Sequence, residues 1–129
     1  MSNIPADLRY TKEHEWVAVI ADDVVRFGIT DYAQEALGDI VFVTLPALGA
    51  ELEADTPCGE VESTKSVSDV YAPLSGTVTA VNEAAETSPD SLNRDPYGAG
   101  WLAEVRVANA AAAVAGLLSS EDYEALLAG

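Results

Sequence analysis

Several residue types that build metal and catalytic centres are nearly absent from this chain of 129 residues. It contains one cysteine, Cys58, one histidine, His14, and a single methionine at position 1. One cysteine excludes an internal disulfide and a thiolate metal cluster within the chain. One histidine, with no nucleophile motif or ligand spacing around it, gives no support to a Ser-His-Asp triad or a histidine metal site.

Basic residues are also scarce, since six Lys and Arg stand against 22 Asp and Glu, and the formal net charge is −16. Binding to nucleic acid or to an anionic membrane requires clustered Lys and Arg, so neither is expected as a partner. The longest apolar run, 110–118, is too short to cross a membrane, and the N-terminus resembles neither a signal nor a transit peptide. The expected location is therefore the bacterial cytoplasm.

The chain is long enough and apolar enough, at 49% hydrophobic residues, for a single domain over 1–129 with one moderate core. Alternating or β-rich segments predict strands at 15–20, 24–29, 76–82 and 101–107, and a central strand, buried on at least one face, at 40–45. Capping residues predict short helices after Thr30 or Asp31, at Ser88 with Pro89, and after Ser119. Together these elements indicate a mainly β fold, a flattened barrel of two antiparallel sheets with short peripheral and C-terminal helices.

The most informative segment is 59–76, GEVESTKSVSDVYAPLSG. Two short stretches with strand periodicity flank the small or polar residues 63–66, which suit a tight turn. This pattern predicts a hairpin with Lys65 at its tip. A lysine there is an amine on a flexible stem and a fixed mount, useful where a group must be attached and swung. Because the only other lysine is Lys12, a solubilising role is less expected, although a solvated turn lysine stays the alternative.

Four segments of the chain together resemble the glycine cleavage system H proteins. They are RYTKEHEW at 9–16, GITDYAQEALGDIVFVTLP at 28–46, the lysine segment at 59–76 and DPYGAGWL at 95–102. The ending SSEDYEALL extends the similarity over nearly the whole chain. The resemblance implies the lipoyl-domain-like barrel-sandwich hybrid fold, with lipoate bound covalently to Lys65 by an amide bond.

The resemblance also implies a non-catalytic shuttle protein. In such systems a pyridoxal phosphate-dependent glycine decarboxylase places an aminomethyl group on the lipoyl sulfur. A tetrahydrofolate-dependent aminomethyltransferase removes the one-carbon unit, and an FAD-dependent dihydrolipoyl dehydrogenase reoxidises the dithiol with NAD. A further enzyme attaches the lipoate. The chain is expected to meet these partners as a monomer.

Two acidic residues are candidates for a groove that shelters the loaded arm. Glu15 and Asp69 match acidic positions to which the family assigns arm docking, and the alternative is that both are solvated acids at strand ends. His14 is expected to have a structural role near the first strand. Cys58 is expected to be a small strand or turn residue, not a redox partner of the arm.

Other carrier functions use similar hairpins. A biotin carrier usually has methionines beside its lysine, whereas here the neighbours are Thr64 and Ser66. A lipoyl domain of a 2-oxoacid dehydrogenase would share the chemistry, but it is less expected because residues 1–129 show no linker or catalytic domain and have extra helices. A lipoyl relay that donates its cofactor to other proteins is compatible with the sequence and stays open, and a scaffolding domain is the remaining alternative.

Overall fold

The computed structural model describes residues 3–129, so Met1 and Ser2 of the expected range 1–129 lie outside the described part. The strands there are β1 (Arg9–Tyr10), β2 (Glu15–Ala21), β3 (Val24–Ile29), β4 (Ile40–Thr44), β5 (Glu51–Leu52), β6 (Pro57–Ser63), β7 (Val67–Tyr71), β8 (Gly76–Val81) and β9 (Ala103–Arg106). The helices are α1 (Asp31–Leu37), α2 (Glu83–Thr87), α3 (Ser91–Arg94), α4 (Ala110–Ala115) and α5 (Ser120–Ala128).

The strands form two antiparallel sheets that share a core. Six strands lie in the order β1-β2-β3-β9-β8-β5 and three in the order β4-β6-β7. Side chains from both sheets meet in one apolar cluster, to which β3 contributes Phe27, β4 contributes Val43 and β6 contributes Val61. The expected fold, mainly β with two antiparallel sheets and short helices, is confirmed.

The prediction of a central strand at 40–45 is wrong, because β4 lies at the edge of the three-stranded sheet. Its residues Ile40 and Val43 are buried, whereas Val41 and Phe42 are exposed. The pairing of β4 with β6 is irregular between Ile40 and Phe42. Such a bulge inserts one extra residue and displaces the alternation. The run was also expected to be buried on at least one face, and the buried Ile40 and Val43 confirm that part of the prediction.

The helix predicted to begin at Ser88 and Pro89 is also placed differently. Ser88 ends α2, where its N–H donates to the carbonyl of Ala84, and the residue that precedes α3 is Asp90. The alanine-rich segment after Asn109, where no helix was predicted, forms α4. The Asn109 side chain accepts a hydrogen bond from the N–H of Ala112, which caps that helix.

The other two predicted caps are confirmed. Thr30 Oγ1 accepts the N–H of Ala33 at the start of α1, and Ser119 Oγ accepts the N–H of Asp122 at the start of α5. The C-terminal helix is held against β1, because Tyr10 and Leu118 exchange backbone hydrogen bonds of 2.8 and 2.9 Å. Among residues 3–129, no helix has both the length and the apolar character that crossing a bilayer requires.

Candidate functional site

The turn between β6 and β7 is organised by the side chain of Ser63. Its hydroxyl oxygen accepts the N–H groups of Lys65 and Ser66, each at 3.1 Å. The Ser63 N–H donates to the Ser66 carbonyl at 2.8 Å, and the Thr64 N–H donates to the Asp39 carbonyl at 3.1 Å. Because these bonds hold the turn backbone on both sides, the exposed Lys65 stands on a fixed mount.

The stem of Lys65 lies over Gly38, the residue that ends α1. Gly38 has φ of 86° and ψ of −157°, a conformation that side chains disfavour. The Asn93 side chain donates to the Gly38 carbonyl at 2.9 Å and holds the backbone there. A Cβ added to Gly38 would lie 3.2 Å from Cε of Lys65. The glycine therefore leaves the space that the lysine stem occupies.

Beside this turn, a groove with a cavity volume of about 160 Å³ lies between α1, β7 and the segment that leads into β2. The residues that line it include the acidic Glu15 and Asp69 and the apolar Ile29, Leu37 and Val61. The two acidic residues singled out in the sequence, 54 positions apart, thus meet in one groove. A lining that combines apolar and acidic residues suits an alkyl chain that ends in a cation.

Glu15 is only 2% exposed, so the description of a solvated acid does not fit it. Its carboxylate accepts the hydroxyl of Thr11 at 2.8 Å and the N–H of Tyr71 at 3.1 Å. Burial raises the pKa of Glu15 from 4.5 to about 7, and the charges of Glu13 and Asp55 add to the rise, while the two hydrogen bonds oppose it. Glu15 can therefore change its protonation state near neutral pH.

Asp69 differs from Glu15 because its side chain is exposed on β7. In the three-stranded sheet it pairs with Glu60 of β6, which is also exposed. A carboxylate in this position keeps most of its contact with water. We expect any charge that Asp69 attracts to be bound less strongly than one beside Glu15.

Next to the groove, a cluster forms from side chains that are far apart in the sequence. The ring of His14 lies 4.9 Å from that of Tyr32, and its Nδ1 is 2.8 Å from the hydroxyl of Tyr123. Both His14 and Tyr32 line the groove, whereas Tyr123 is fully buried on α5. His14 also has φ of 69°, which is uncommon for a side-chain-bearing residue.

Cys58 lies in β6 and is partly buried. Burial raises the pKa of its thiol to about 12, and the charge of Glu15 acts in the same direction. The thiol is therefore protonated at neutral pH, and a protonated thiol is a poor nucleophile.

Comparison with known proteins gives a consistent result. The family model described as "Glycine cleavage H-protein" matches residues 8–129. A glycine cleavage system H protein of Mycobacterium avium is 62% identical over 130 residues, and one of Mycobacterium leprae is 58% identical, each match covering 98% of both chains. The crystal structure of a glycine cleavage system H protein from Mycobacterium marinum superposes with a TM-score of 0.87 at 48% identity, covering 98% of this chain and 100% of that one.

Proposed function

The chain belongs to the glycine cleavage H-protein family, and on that premise we propose that Lys65 carries lipoate in amide linkage. A member of this family is the lipoyl carrier of the glycine cleavage system and not itself an enzyme. The observation that supports Lys65 is its position, exposed in a turn whose backbone is held by Ser63. When bound, lipoate supplies a disulfide that takes up the aminomethyl group.

Within this proposal, residues 1–129 act as one carrier domain, and its partners are the three enzymes of the system and the enzyme that attaches lipoate. The three are glycine decarboxylase, aminomethyltransferase and dihydrolipoyl dehydrogenase. Membership of the family supports an interaction with the other components of the system. The similar proteins named above come from bacteria, which supports the bacterial cytoplasm as the location. We propose that the chain meets each enzyme as a monomer.

A carrier gains its advantage from tethering. A group held on a short flexible arm has an effective concentration on the order of millimolar near a site within its reach. The fixed turn at Ser63 keeps the attachment point constant, while the rotatable bonds of the Lys65 stem allow the arm to swing. The chain thus restricts where the carried group can be without taking part in its chemistry.

The groove provides a resting place for the arm between enzymes. Each methylene that the arm buries against the apolar wall contributes about 0.8 kcal/mol, less the entropy of pinning the arm. The ammonium of a carried aminomethyl group would lie beside the carboxylates of Glu15 and Asp69. Docking on this scale is weak and reversible, as a carrier requires.

The direct test of the function is reconstitution with the three enzymes and glycine. Lipoylated chain should support glycine-dependent formation of NADH, and the rate should rise with the amount of chain. Unlipoylated chain should give only the background rate. Equal rates from the two forms would show that the carrier role does not depend on lipoate.

The two groove carboxylates should have unequal effects on the carried amine. A charge-assisted hydrogen bond at a buried site is worth about 1.5–3 kcal/mol, so Glu15→Gln should shorten the lifetime of the aminomethyl-loaded form about tenfold or more. An exposed ion pair is worth about 0.2–1 kcal/mol, so Asp69→Asn should shorten that lifetime by at most about fivefold. The lifetime is measured as release of ammonia from isolated loaded chain.

The matched control for these variants is Glu60→Gln. Glu60 is the exposed neighbour of Asp69 across the sheet, and it is not among the described residues that line the groove. Its replacement should leave the lifetime unchanged. Parent-like lifetimes in both Glu15→Gln and Asp69→Asn would remove the groove from the proposal and leave Lys65 in place.

Gly38→Ala should impair attachment of lipoate as well as stability. The added Cβ approaches Cε of Lys65 and also occupies a disfavoured backbone conformation, at a cost of about 1–3 kcal/mol. Gly49→Ala is the control, since Gly49 has φ of 83° but nothing within 4 Å of an added Cβ. Both variants should have lower melting temperatures, and only Gly38→Ala should be lipoylated more slowly. Equal lipoylation rates would show that the stem does not need this space.

A further inference from the structure

His14, which lines the groove, and two buried side chains behind it form a hydrogen-bonded chain with a direction. The hydroxyl of Thr30 is 2.8 Å from that of Tyr123, and the hydroxyl of Tyr123 is 2.8 Å from Nδ1 of His14. Thr30 and Tyr123 are each 0% exposed, so water cannot replace either partner. The protons on these two hydroxyls must therefore be placed within the chain itself.

The helix cap determines where the Thr30 proton goes. Thr30 Oγ1 already accepts the N–H of Ala33, and within residues 3–129 its only other partner is Tyr123. The Thr30 hydroxyl satisfies its proton only by donating to Tyr123. Tyr123 accepts that bond with its oxygen, so its own hydroxyl proton is free to be donated to Nδ1 of His14. A neutral imidazole that accepts at Nδ1 carries its hydrogen on Nε2.

The surroundings hold the two rings in this arrangement. Tyr123 stacks on Tyr10 with ring centroids 4.8 Å apart and an interplanar angle of 5°. The backbone of His14 is fixed on both sides, since its N–H donates to the carbonyl of Thr11 and its carbonyl accepts the N–H of Thr30. Burial lowers the pKa of His14, against an opposing effect of Glu13, and so favours the neutral ring.

We propose that Thr30 and Tyr123 hold His14 as the Nε2–H tautomer, and that this tautomer directs the cationic end of the arm to Glu15 and Asp69. An ammonium group has only donors and must find acceptors. In the described part of the chain no group hydrogen-bonds to Nε2, so Nε2–H is what the ring offers to a ligand. It offers the amine no acceptor, whereas the two carboxylates do. The directing role rests on the proposed function, whereas the assignment of the tautomer rests only on the hydrogen bonds of Thr30, Tyr123 and His14. Tyr123 and Thr30 are thus positioning residues that act through His14.

The tautomer can be measured directly, because the chain has a single histidine and its ring gives one set of signals. Long-range proton–nitrogen spectra of ¹⁵N-histidine-labelled chain should show Nε2 protonated and Nδ1 unprotonated. Tyr123→Phe should move both nitrogens toward an average of the two tautomers. Tyr10→Phe is the control, since it removes another buried hydroxyl from the same stack, one bonded to the Pro5 carbonyl, and should leave the histidine spectrum unchanged.

The directing role predicts a coupling between Tyr123 and Glu15. In the parent, Glu15→Gln should shorten the lifetime of the loaded form about tenfold or more. In the Tyr123→Phe background the freed ring nitrogen can accept the amine, so the same change should cost less than about threefold. If Glu15→Gln shortens the lifetime by the same factor in both backgrounds, the directing role is overturned. If Nδ1 is protonated in the parent, the assignment of the tautomer is overturned.

These outcomes are separable from failure of the proposed function. Absence of lipoate on Lys65 would remove the lifetime measurement, but the spectra of unmodified chain would still decide the tautomer. If Tyr123→Phe does not fold, Thr30→Val removes the directing proton, and Thr30→Ser retains it. The expected result is a shifted histidine spectrum for Thr30→Val and a parent-like one for Thr30→Ser. A parent-like spectrum for both would overturn the role of Thr30.

Discussion

Lys65→Arg is expected to abolish glycine-dependent NADH formation in the reconstituted system while leaving the fold intact. Attachment of lipoate requires an amine that can lose its protons and form an amide. The guanidinium of arginine keeps its charge at any accessible pH and cannot be acylated in this way. Lys65 is exposed in the turn, so the change should alter the free energy of unfolding by no more than about 0.5 kcal/mol.

The matched control is Lys12→Arg, which changes the only other lysine. Lys12 is also exposed, so the two variants make the same chemical change at positions that are both in contact with water. Lys12→Arg should retain the parent rate. Activity in Lys65→Arg, or its loss in both variants, would contradict the assignment of the carrier site to Lys65.

The free energy of unfolding of Glu15→Gln is expected to increase relative to that of the parent as the pH rises. The folded-state pKa of Glu15, about 7, lies above the ordinary value of 4.5, so the stabilising effect of the raised pKa is fully present below pH 4.5. It is lost as the pH rises through 7, because the folded chain must then hold a buried carboxylate. At 1.36 kcal/mol for each pKa unit, the difference corresponds to about 3 kcal/mol. Glutamine does not titrate and avoids this loss.

Urea unfolding between pH 4.5 and 8.5 measures this effect. The free energy of unfolding of Glu15→Gln minus that of the parent should increase across the range by about 3 kcal/mol. Glu13→Gln is the control, since it removes a charge nearby and leaves Glu15 in place. Its curve should keep most of the fall that the parent shows, because burial is the largest cause of the raised pKa of Glu15 and the charge of Glu13 is a smaller one. A constant difference between Glu15→Gln and the parent would mean that Glu15 does not titrate in this interval.

Local sequence predicts the elements of this fold better than their places in the sheets. The β-rich composition of 24–29 and the caps at Thr30 and Ser119 depend on neighbouring residues, and the strand and helix starts that they predict were confirmed. The position of β4 at an edge depends on which strands pair, and its exposed Phe42 depends on a bulge opposite β6. An apolar run does not reveal a bulge or the strands that will pair with it, so the prediction of a central strand was wrong.

The site shows the same division. The hairpin and its lysine are visible in 59–76 because small polar residues separate two alternating segments. The burial of Glu15 is not visible, since alternation would expose it next to the buried Trp16. In the structure Glu15, Trp16 and Val17 are all buried. Trp16 packs in a second cluster with Tyr10 and Tyr123, and Val17 packs in the main core. Similarly, His14 and Tyr123 are 109 positions apart, and no local pattern links them.

The intact mass of the chain from a lipoate-competent host, beside that of Lys65→Arg, tests the central claim most directly. Amide formation adds one lipoate less one water, so the parent should carry this increase and Lys65→Arg should not. An increase that persists in Lys65→Arg, or a parent without one from a host that lipoylates other proteins, would contradict Lys65 as the attachment site.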